Sequence, residues 1–153
     1  MKSKLTFENK FLKKHPKQYS EDRTYIDFII NGKSLSELLG GVGFNIGQFG
    51  WKKNIKFEIN ELKNYRNKKN LRVENGLFSA YVCAECGDEG CGAVMFNITE
   101  NENHIIWENF VWSDGYLENE DDPDEKIDLE PIEFNKIEYE VALNELEKMI
   151  LKK

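Results

Sequence analysis

The chain has 153 residues, of which 40% are hydrophobic, and its formal net charge is −7. A chain of this length suits one domain, which buries roughly 70% of the surface that the unfolded chain exposes. The sequence has no run of about 18 apolar residues and no apolar segment near its start, which argues against a membrane span and a signal peptide. We therefore expect a single cytoplasmic domain over residues 1–153, and the many Asn, Lys and Ile residues are typical of an AT-rich bacterial genome.

The charge is distributed unevenly along the chain. Residues 1–72 hold 16 basic and 7 acidic side chains, whereas residues 73–153 hold 5 basic and 21 acidic ones. The acidic half favours a basic protein as the partner, because opposite charges speed encounter. Nucleic acid is not expected as a partner, since the same half repels phosphate. The charge pattern by itself favours a simpler interpretation, in which both charged regions are solvated faces of one domain.

The first part of the chain contains the signals of one strand and one short helix. Residues 1–23 are polar and basic, and we expect them to form a short helix or a loosely held arm. The β-formers of residues 24–30 predict a strand, and Asn31-Gly32 predicts a tight turn after it. Ser34 and Glu37 have the spacing of a capping box, which predicts the start of a short helix.

A glycine-rich segment and a basic segment follow. Five glycines in residues 40–50 predict a loop with Phe44 and Phe49 buried beneath it. The spacing of these glycines does not fit a dinucleotide-binding fingerprint. Asn60 has the character of an N-cap and predicts a helix over residues 60–69.

The second half begins with three predicted strands, at residues 77–82, 93–98 and 104–112. A loop at residues 100–103 joins the last two strands into an antiparallel hairpin, with Thr99 opposite His104. The last strand is apolar on both faces, which predicts a central position in the sheet.

Acidic residues dominate the next segment, and a helix ends the chain. Residues 117–130 hold eight acids and one lysine, which predicts an exposed loop. Residues 131–134 predict an edge strand, and Asn135 predicts the N-cap of the last helix. Its core-facing residues at helical spacing are Tyr139, Ala142, Leu143, Leu146 and Ile150. Together the elements predict an α+β fold, a mainly antiparallel sheet with a short helix from the N-terminal half and the C-terminal helix packed on it.

The three cysteines lie in one short segment, Cys83-Ala-Glu-Cys86-Gly-Asp-Glu-Gly-Cys91. Its C-x-x-C-G start is typical of a zinc knuckle, which makes Cys83, Cys86 and Cys91 candidate metal ligands. A second interpretation is a redox pair of Cys83 with Cys86. The sequence favours a third interpretation, a tight glycine turn that buries three small cysteines without a cofactor.

A tetrahedral zinc site needs a fourth ligand, and the sequence offers distant or uncommon donors for it. In the predicted hairpin, His104 lies roughly 26 Å from Cys91, at ~3.3 Å per residue. The nearer candidates are Asp88, Asp114 and His15. Zinc is therefore the alternative to a protein without a cofactor.

The same hairpin places a corner of aromatic and acidic side chains beside the cysteine loop. Two of its carboxylates, Asp88 and Asp114, would perform acid–base chemistry if burial separated their pKa values. The sequence carries no complete catalytic signature, which favours a protein that is not an enzyme. The predicted binding residues of this corner and of the acidic segment are Asp88, Trp112, Asp114, Tyr116, Glu120, Asp121 and Asp122.

Three motifs mark the second half of the chain. They are C-x-E-C-G-D-x-G-C-G-A at residues 83–93, W-x-x-F at residues 107–110 and F-x-x-x-x-Y at residues 134–139. Residues 75–145, which contain them, resemble an uncharacterised bacterial family whose members carry these motifs. An oxidoreductase label accompanies some such sequences, but the resemblance implies no established activity.

We expect a small non-catalytic protein that binds another protein, because the acidic half contains no assembled active site. An immunity-type protein whose acidic surface docks a basic toxin fits this expectation. The alternative is a metal- or thiol-dependent protein with its site at Cys83, Cys86 and Cys91.

Overall fold

The computed structural model describes residues 2–15, 17, 21–117, 120 and 123–153. Within these ranges the chain has the predicted α+β fold, with two antiparallel sheets and three α-helices. The first sheet contains β1 (Leu5–Leu12), β2 (Arg23–Ile30) and β3 (Lys33–Ser34). The second contains β4 (Asn45–Gly47), β5 (Phe78–Cys83), β6 (Ala93–Glu100), β7 (His104–Ser113), β8 (Glu125–Lys126) and β9 (Ile132–Asn135). The helices are α1 (Leu35–Leu38), α2 (Ile55–Asn67) and α3 (Lys136–Leu151).

β1 departs from the sequence predictions. It runs antiparallel to the whole of β2, with Leu5 paired to Ile30 at one end. Residues 5–12 therefore do not form the predicted short helix or loosely held arm. Leu5 and Phe7 are two residues apart and therefore share the inward face of the strand. Leu5 is buried there, and the ring of Phe7 lies 5.8 Å from that of Phe28.

The turn after β2 and the cap of α1 form as predicted. Asn31 and Gly32 both have positive φ angles, 52° and 83°, as a two-residue hairpin turn of type I′ requires. They join β2 to β3, which pair across the hairpin. The Ser34 hydroxyl then accepts a hydrogen bond from the Ser36 N–H at 3.2 Å.

The glycine-rich segment contains a strand as well as a loop. β4 pairs with β5, and Gly47 lies so close to the Ile26 carbonyl that a side chain would not fit there. Phe49 is buried as predicted, and its carbonyl accepts a hydrogen bond from the Ile26 N–H at 2.9 Å. The predicted burial of Phe44 is wrong, because this residue lies in the surface turn before β4 and its ring contacts His15.

α2 begins earlier than the sequence predicts. Asn54 is the N-cap in place of Asn60, and its side-chain oxygen accepts a hydrogen bond from the Phe57 N–H at 3.1 Å. Leu62 and Tyr65 are the predicted apolar contacts of this helix, and both are buried.

The hairpin of β6 and β7 forms as predicted, but its register differs. Thr99 pairs with Ile106, whereas the prediction placed His104 opposite it. The turn is tighter than predicted because the Asn101 side chain accepts hydrogen bonds from two backbone N–H groups of the loop. A bulge at Asn109, whose φ is 58°, shifts the register again further along β7.

β7 occupies the central position that its two apolar faces predict. It pairs with β6 along one edge and with β8 and β9 along the other. Its Trp107 is fully buried, and the indole contacts the rings of Phe96, Phe134 and Tyr139. This aromatic cluster lies at the centre of the core, away from the cysteine segment.

α3 begins at the predicted cap. The Asn135 side chain accepts hydrogen bonds from the N–H groups of Ile137 and Glu138, at 3.0 and 3.1 Å. The residues predicted to face the core are buried, namely Tyr139, Ala142, Leu143, Leu146 and Ile150. None of the helices in the described ranges combines the length and apolarity that crossing a membrane requires.

Candidate metal centre at the cysteine loop

The first two cysteines belong to a tight turn at the end of β5. Cys83 is the last residue of β5, and its carbonyl accepts a hydrogen bond from the Gly87 N–H at 2.9 Å. Gly87 has a φ of 70°, a left-handed conformation that suits glycine. The turn directs the backbone N–H groups of Glu85 and Cys86 at the Cys83 sulfur. Such bonds stabilise a thiolate, so the turn suits a metal-binding sulfur.

The third cysteine belongs to a separate turn. Residues Glu89–Cys91 form a 3₁₀ turn, which the Gly92 N–H closes on the Glu89 carbonyl at 2.8 Å. Gly92 has a φ of 91°, which lets the chain change direction before it enters β6. The 3₁₀ turn thereby brings Cys91 back toward the first two cysteines.

The two turns bring the three sulfur atoms together. The sulfurs of Cys83, Cys86 and Cys91 all lie within 4.8 Å of one another. Those of Cys86 and Cys91 are 3.0 Å apart. In a tetrahedral site with Zn–S distances of ~2.3 Å, neighbouring sulfurs are ~3.8 Å apart. One observed spacing is shorter than that value and none exceeds 4.8 Å, so small side-chain movements would complete a zinc-binding triad.

The cysteines are not buried, so that part of the interpretation that the sequence favoured is wrong, although its tight glycine turn does form. Cys86 and Cys91 are exposed, and Cys83 is half-buried. The physical reason is that the segment leaves the sheet at the ends of β5 and β6, beyond the aromatic core. Solutes therefore have access to at least two of the three sulfurs.

The three thiols differ in acidity. Burial acts to raise the pKa of Cys83, but hydrogen bonds from the backbone N–H groups of Cys86 and Glu85 and from the neighbouring thiols outweigh it and lower that pKa. The pKa of Cys91 is raised to about 12, chiefly by its hydrogen bond with Cys86 and then by burial and the adjacent sulfur charges. Thiolates at this spacing repel one another, and a divalent cation among them removes the repulsion and releases protons.

An ion cluster with two buried carboxylates anchors the turn that carries Cys91. Glu89 accepts a hydrogen bond from the Ser79 hydroxyl at 2.6 Å and forms an ion pair with Arg72. Arg72 also binds Glu61 of α2, with 2.6 Å between Nε and Oε1. Burial opposes the ionisation of Glu89, but the bonds from Arg72 and Ser79 prevail and lower its pKa to about 2. The 3₁₀ turn is therefore fixed to both α2 and β5.

Sequence reasoning missed this ion cluster. Arg72, Ser79 and Glu89 are common polar residues without a regular spacing, and the fold alone brings them into contact. The available signal was the position of Glu89 inside the cysteine motif, which is otherwise rich in glycine.

A second anchor comes from the first sheet. Arg23 of β2 donates hydrogen bonds to the carbonyl groups of Ala84 and Glu85, at 2.9 and 3.2 Å. Its guanidinium lies 4.7 Å from the centre of the Trp51 ring. Trp51 in turn packs on Gly87, where an added methyl group would lie 3.1 Å from the indole. The turn of Cys83 and Cys86 is therefore supported by Arg23 of the first sheet and by Trp51 of the loop before α2.

A cavity of about 490 Å³ adjoins this turn, and Cys86 forms part of its wall. Basic side chains such as Arg23 and Lys52 line it together with acidic ones such as Glu85 and Asp88. Burial lowers the pKa of Lys52, and neighbouring carboxylates act in the opposite direction. The cavity is large enough for a small molecule and reaches one of the three candidate ligands.

The predicted corner of acidic and aromatic residues forms in part. Asp88, Asp114 and Tyr116 line a second cavity, of about 190 Å³, beside the 3₁₀ turn. Trp112 is not among its lining residues, because it pairs with Val94 and packs against the main core.

The acidic segment is described only in part. Glu120 is exposed, whereas Asp121 and Asp122 lie outside the described residues. β8 lies within the predicted loop and pairs with β7. In the described part of the chain no carboxylate lies within 4.8 Å of all three sulfurs, so Asp88 and Asp114 do not supply a fourth ligand in this conformation.

His104 lies at the end of the hairpin away from the cysteines, as predicted. Its Nδ1 atom is 2.6 Å from a carboxylate oxygen of Glu133. The other end of β7 is at Ser113, which pairs with Ala93 directly after the cysteine segment. His15, the other histidine, does not belong to the group of sulfur ligands either.

Comparison with known proteins adds no assignment of function. No protein-family model, curated protein or solved structure matches the chain. The geometry of the cysteine segment is therefore the main basis for a functional proposal.

Proposed function

We propose that the chain is a metal-binding protein that holds a thiophilic divalent cation, zinc foremost, on Cys83, Cys86 and Cys91. The observation that carries the proposal is the convergence of all three sulfurs within 4.8 Å of one another. Thiolates are soft ligands, and a tetrahedral sulfur environment selects zinc over hard cations such as magnesium.

A three-thiolate site leaves one coordination position for a ligand that the described residues do not supply. Structural zinc sites take four protein ligands, whereas catalytic sites take three and keep the fourth position for water or substrate. The exposure of Cys86 and Cys91 favours a fourth ligand from outside the chain, either a water molecule, a small molecule or a donor atom of a partner.

Metal titration of the reduced full-length protein tests the proposal. We expect one zinc ion per chain, and we expect cobalt to give the intense charge-transfer absorption of thiolate ligands. Single serine substitutions at Cys83, Cys86 and Cys91 should each weaken zinc binding strongly. Loss of a residue that only hydrogen-bonds a metal ligand weakens binding by about 10–100-fold, and loss of a ligand should weaken it by more. His104→Asn is the matched control and should leave zinc binding unchanged, since His104 lies at the other end of the hairpin.

Two results would contradict the metal proposal. One is reduced protein that takes up no zinc or cobalt at concentrations well above that of the chain. The other is binding that survives in a variant with serine at all three cysteine positions, because carboxylates would then be the ligands.

A second candidate function is the docking of a basic protein, and exposed apolar residues beside acids favour it. Tyr116 and Leu117 are 61% and 60% exposed, and the acidic segment follows them directly. An aromatic anchor within a charged rim is typical of a protein-binding surface. The neighbouring acids in the described residues are Asp114, Glu120, Asp124 and Glu125.

To test the docking proposal, the chain is immobilised, a partner is isolated on it and purified, and the affinity of the two proteins is then measured. Binding of a basic partner should weaken as the salt concentration rises, and Tyr116→Ala should reduce the affinity at every salt concentration. Glu145→Gln, on the exposed face of α3, is the control and should have no effect. A partner whose binding is insensitive to both salt and Tyr116→Ala would contradict this function.

A further inference from the structure

The two exposed thiols lie closer together than a shared metal ion requires. The Cys86 and Cys91 sulfurs are 3.0 Å apart, whereas two sulfurs on one tetrahedral zinc ion are ~3.8 Å apart. A disulfide bond has a length of ~2.05 Å. The sulfurs therefore need to approach by about 1 Å to form a covalent bond.

The backbone between these two cysteines is held at Gly87 and at Glu89 but is loosely packed at Gly90, which leaves room for such an approach. Residues 86–91 contain Gly87 and Gly90, and Gly92 follows directly. An added methyl group at Gly90 would meet the Asp88 side chain as its nearest neighbour, at 3.4 Å, so this part of the loop is loosely packed.

Cys83 is held differently from the other two cysteines. It lies within β5 and pairs with Asn45 of β4, so its backbone is fixed by the sheet. It is half-buried, whereas Cys86 and Cys91 are exposed to solutes. The short sulfur–sulfur distance, the loose packing at Gly90 and the exposure of both thiols thus select Cys86 with Cys91 as the reactive pair.

We propose that Cys86 and Cys91 form a reversible disulfide bond, and that its formation discharges the metal ion. The disulfide itself follows from the sulfur geometry alone, whereas the discharge rests on the proposed function. Oxidation removes two of the three ligands and leaves Cys83 as a single thiolate, which does not hold zinc against water.

The oxidant is a peroxide, and hydrogen peroxide is the simplest of this class. One sulfur attacks the peroxide, the O–O bond breaks, and the sulfur becomes a sulfenic acid while one water molecule leaves. The second sulfur then displaces the sulfenic oxygen as a second water molecule, and the S–S bond forms. The two sulfurs lose two electrons in total, the peroxide gains them, and two thiol protons end in the two water molecules. A dithiol reductant reverses the change by thiol–disulfide exchange.

Peptide mapping of the oxidised protein tests which pair forms. Reduced, metal-free protein is treated with one equivalent of hydrogen peroxide, alkylated while unfolded, and cleaved after glutamate. Cleavage at Glu85 and Glu89 places Cys83, Cys86 and Cys91 on three different peptides. We expect a cross-linked pair of the Cys86 and Cys91 peptides, an alkylated Cys83 peptide, and loss of the cross-link after reduction with dithiothreitol.

Two variants test independently which cysteines form the cross-link. Cys83→Ser should retain the cross-link between Cys86 and Cys91, whereas Cys91→Ser should lose it. The proposal is overturned if wild-type protein instead joins Cys83 to either partner. It is also overturned if the Cys86 and Cys91 thiols remain reduced, or pass to higher oxidation states without a cross-link.

The metal arm of the experiment separates this inference from the proposed function. Zinc-loaded protein is treated with peroxide, and free zinc is followed with a coloured chelator. We expect zinc release in step with cross-linking, a fall in affinity of more than about 100-fold, and recovery after reduction. Protein that binds no zinc but forms the cross-link overturns the proposed function and the discharge, and leaves the disulfide established. Protein that binds zinc and keeps it after cross-linking overturns the discharge alone.

Discussion

Gly87 is subject to two constraints that together require glycine at this position of the cysteine segment. Its φ of 70° is unfavourable for residues with a side chain. An added methyl group would also lie 3.0 Å from Cε of Lys52 and 3.1 Å from the Trp51 ring. Gly90 is the natural comparison, because its φ is not positive and a methyl group there has room.

We expect Gly87→Ala to lower the free energy of unfolding by about 1–3 kcal/mol, from backbone strain and the displacement of Trp51. It should also weaken zinc binding, since the turn that presents Cys83 and Cys86 is distorted. Gly90→Ala should cost less than about 0.5 kcal/mol. Urea unfolding and zinc titration of both variants measure these effects, and equal losses in the two variants would contradict the argument.

Glu58 links the stability of the fold to pH. It is a buried residue of α2 whose carboxylate accepts hydrogen bonds from the backbone N–H groups of Gly50 and Lys52. Burial raises the pKa of Glu58 above the ordinary value of 4.5, and the two hydrogen bonds oppose the shift without cancelling it. The folded state therefore binds this proton more tightly than the unfolded chain does.

The stability contributed by protonated Glu58 should be fully present below pH 4.5 and be lost as the pH rises through the raised folded-state pKa. In the Glu58→Gln variant the side chain no longer titrates, but its amide oxygen can still accept hydrogen bonds. We expect the unfolding free energy of wild-type protein to fall relative to that of Glu58→Gln as the pH rises above 4.5. Urea unfolding across this range checks the trend, and a constant difference between the two proteins would show the sign to be wrong.

At the scale of elements, Arg72 connects α2 to the turn that carries Cys91. Its guanidinium lies between the carboxylates of Glu61 and Glu89, whose side chains are 2% and 6% exposed. Arg66 offers a matched comparison, because it pairs α2 with Glu147 of α3 at the surface. The two arginines are similarly exposed, but the carboxylates that Arg72 neutralises are buried whereas Glu147 is 40% exposed, so the two contributions should differ.

We expect Arg72→Met to destabilise the fold by about 3–5 kcal/mol, because two buried carboxylates lose their counter-ion. Arg66→Met should cost at most about 1 kcal/mol. Denaturant unfolding of the two variants provides the comparison. If Arg72→Met were as mild as Arg66→Met, the ion cluster would not be what fixes the 3₁₀ turn.

At the scale of the whole molecule, the main hydrophobic core is separate from the cysteine segment. The main core combines aromatic and aliphatic residues from both sheets and from all three helices, and it contains no cysteine. We therefore expect the proposed metal binding to add stability to a fold that forms without it, in contrast to small zinc domains that unfold without metal.

Removal of zinc with a chelator should accordingly leave the secondary structure intact and lower only the stability. With free zinc at about 100 times its dissociation constant, we expect zinc binding to raise the free energy of unfolding by about 2.7 kcal/mol. Circular dichroism and thermal unfolding with and without chelator measure the two quantities. Loss of the far-ultraviolet signal on chelation would show that the core depends on the metal.

The sequence predicted those parts of the fold that have local signals. The cap at Asn135, the buried face of α3 and the Asn31-Gly32 turn each follow from residues close together in the chain. β1 was missed because the alternation of buried and exposed residues is clear only at its start, and the rest of the strand is stabilised by pairing with β2. The hairpin register was wrong because Asn101 and the bulge at Asn109 each change it by small steps.

The three candidate ligands could be found in the sequence, whereas the residues that hold the two turns in place could not. The C-x-x-C-G motif made a metal-binding turn one of three interpretations, and whether Cys91 joins the other two cysteines depended on how the 3₁₀ turn folds back. That fold depends on the contact of Arg72 with Glu89, which are distant in sequence. The burial expected of the cysteines failed for a related reason, since burial depends on where the segment leaves the sheet.

The position of Trp51 gives the molecule a natural optical reporter. Its indole stacks on the guanidinium that binds the Ala84 and Glu85 carbonyls, and it packs directly on Gly87. The other two tryptophans, Trp107 and Trp112, pack against the main core. A change at the sulfur atoms should therefore alter the fluorescence of one indole selectively, and the state of the loop becomes readable without any added label.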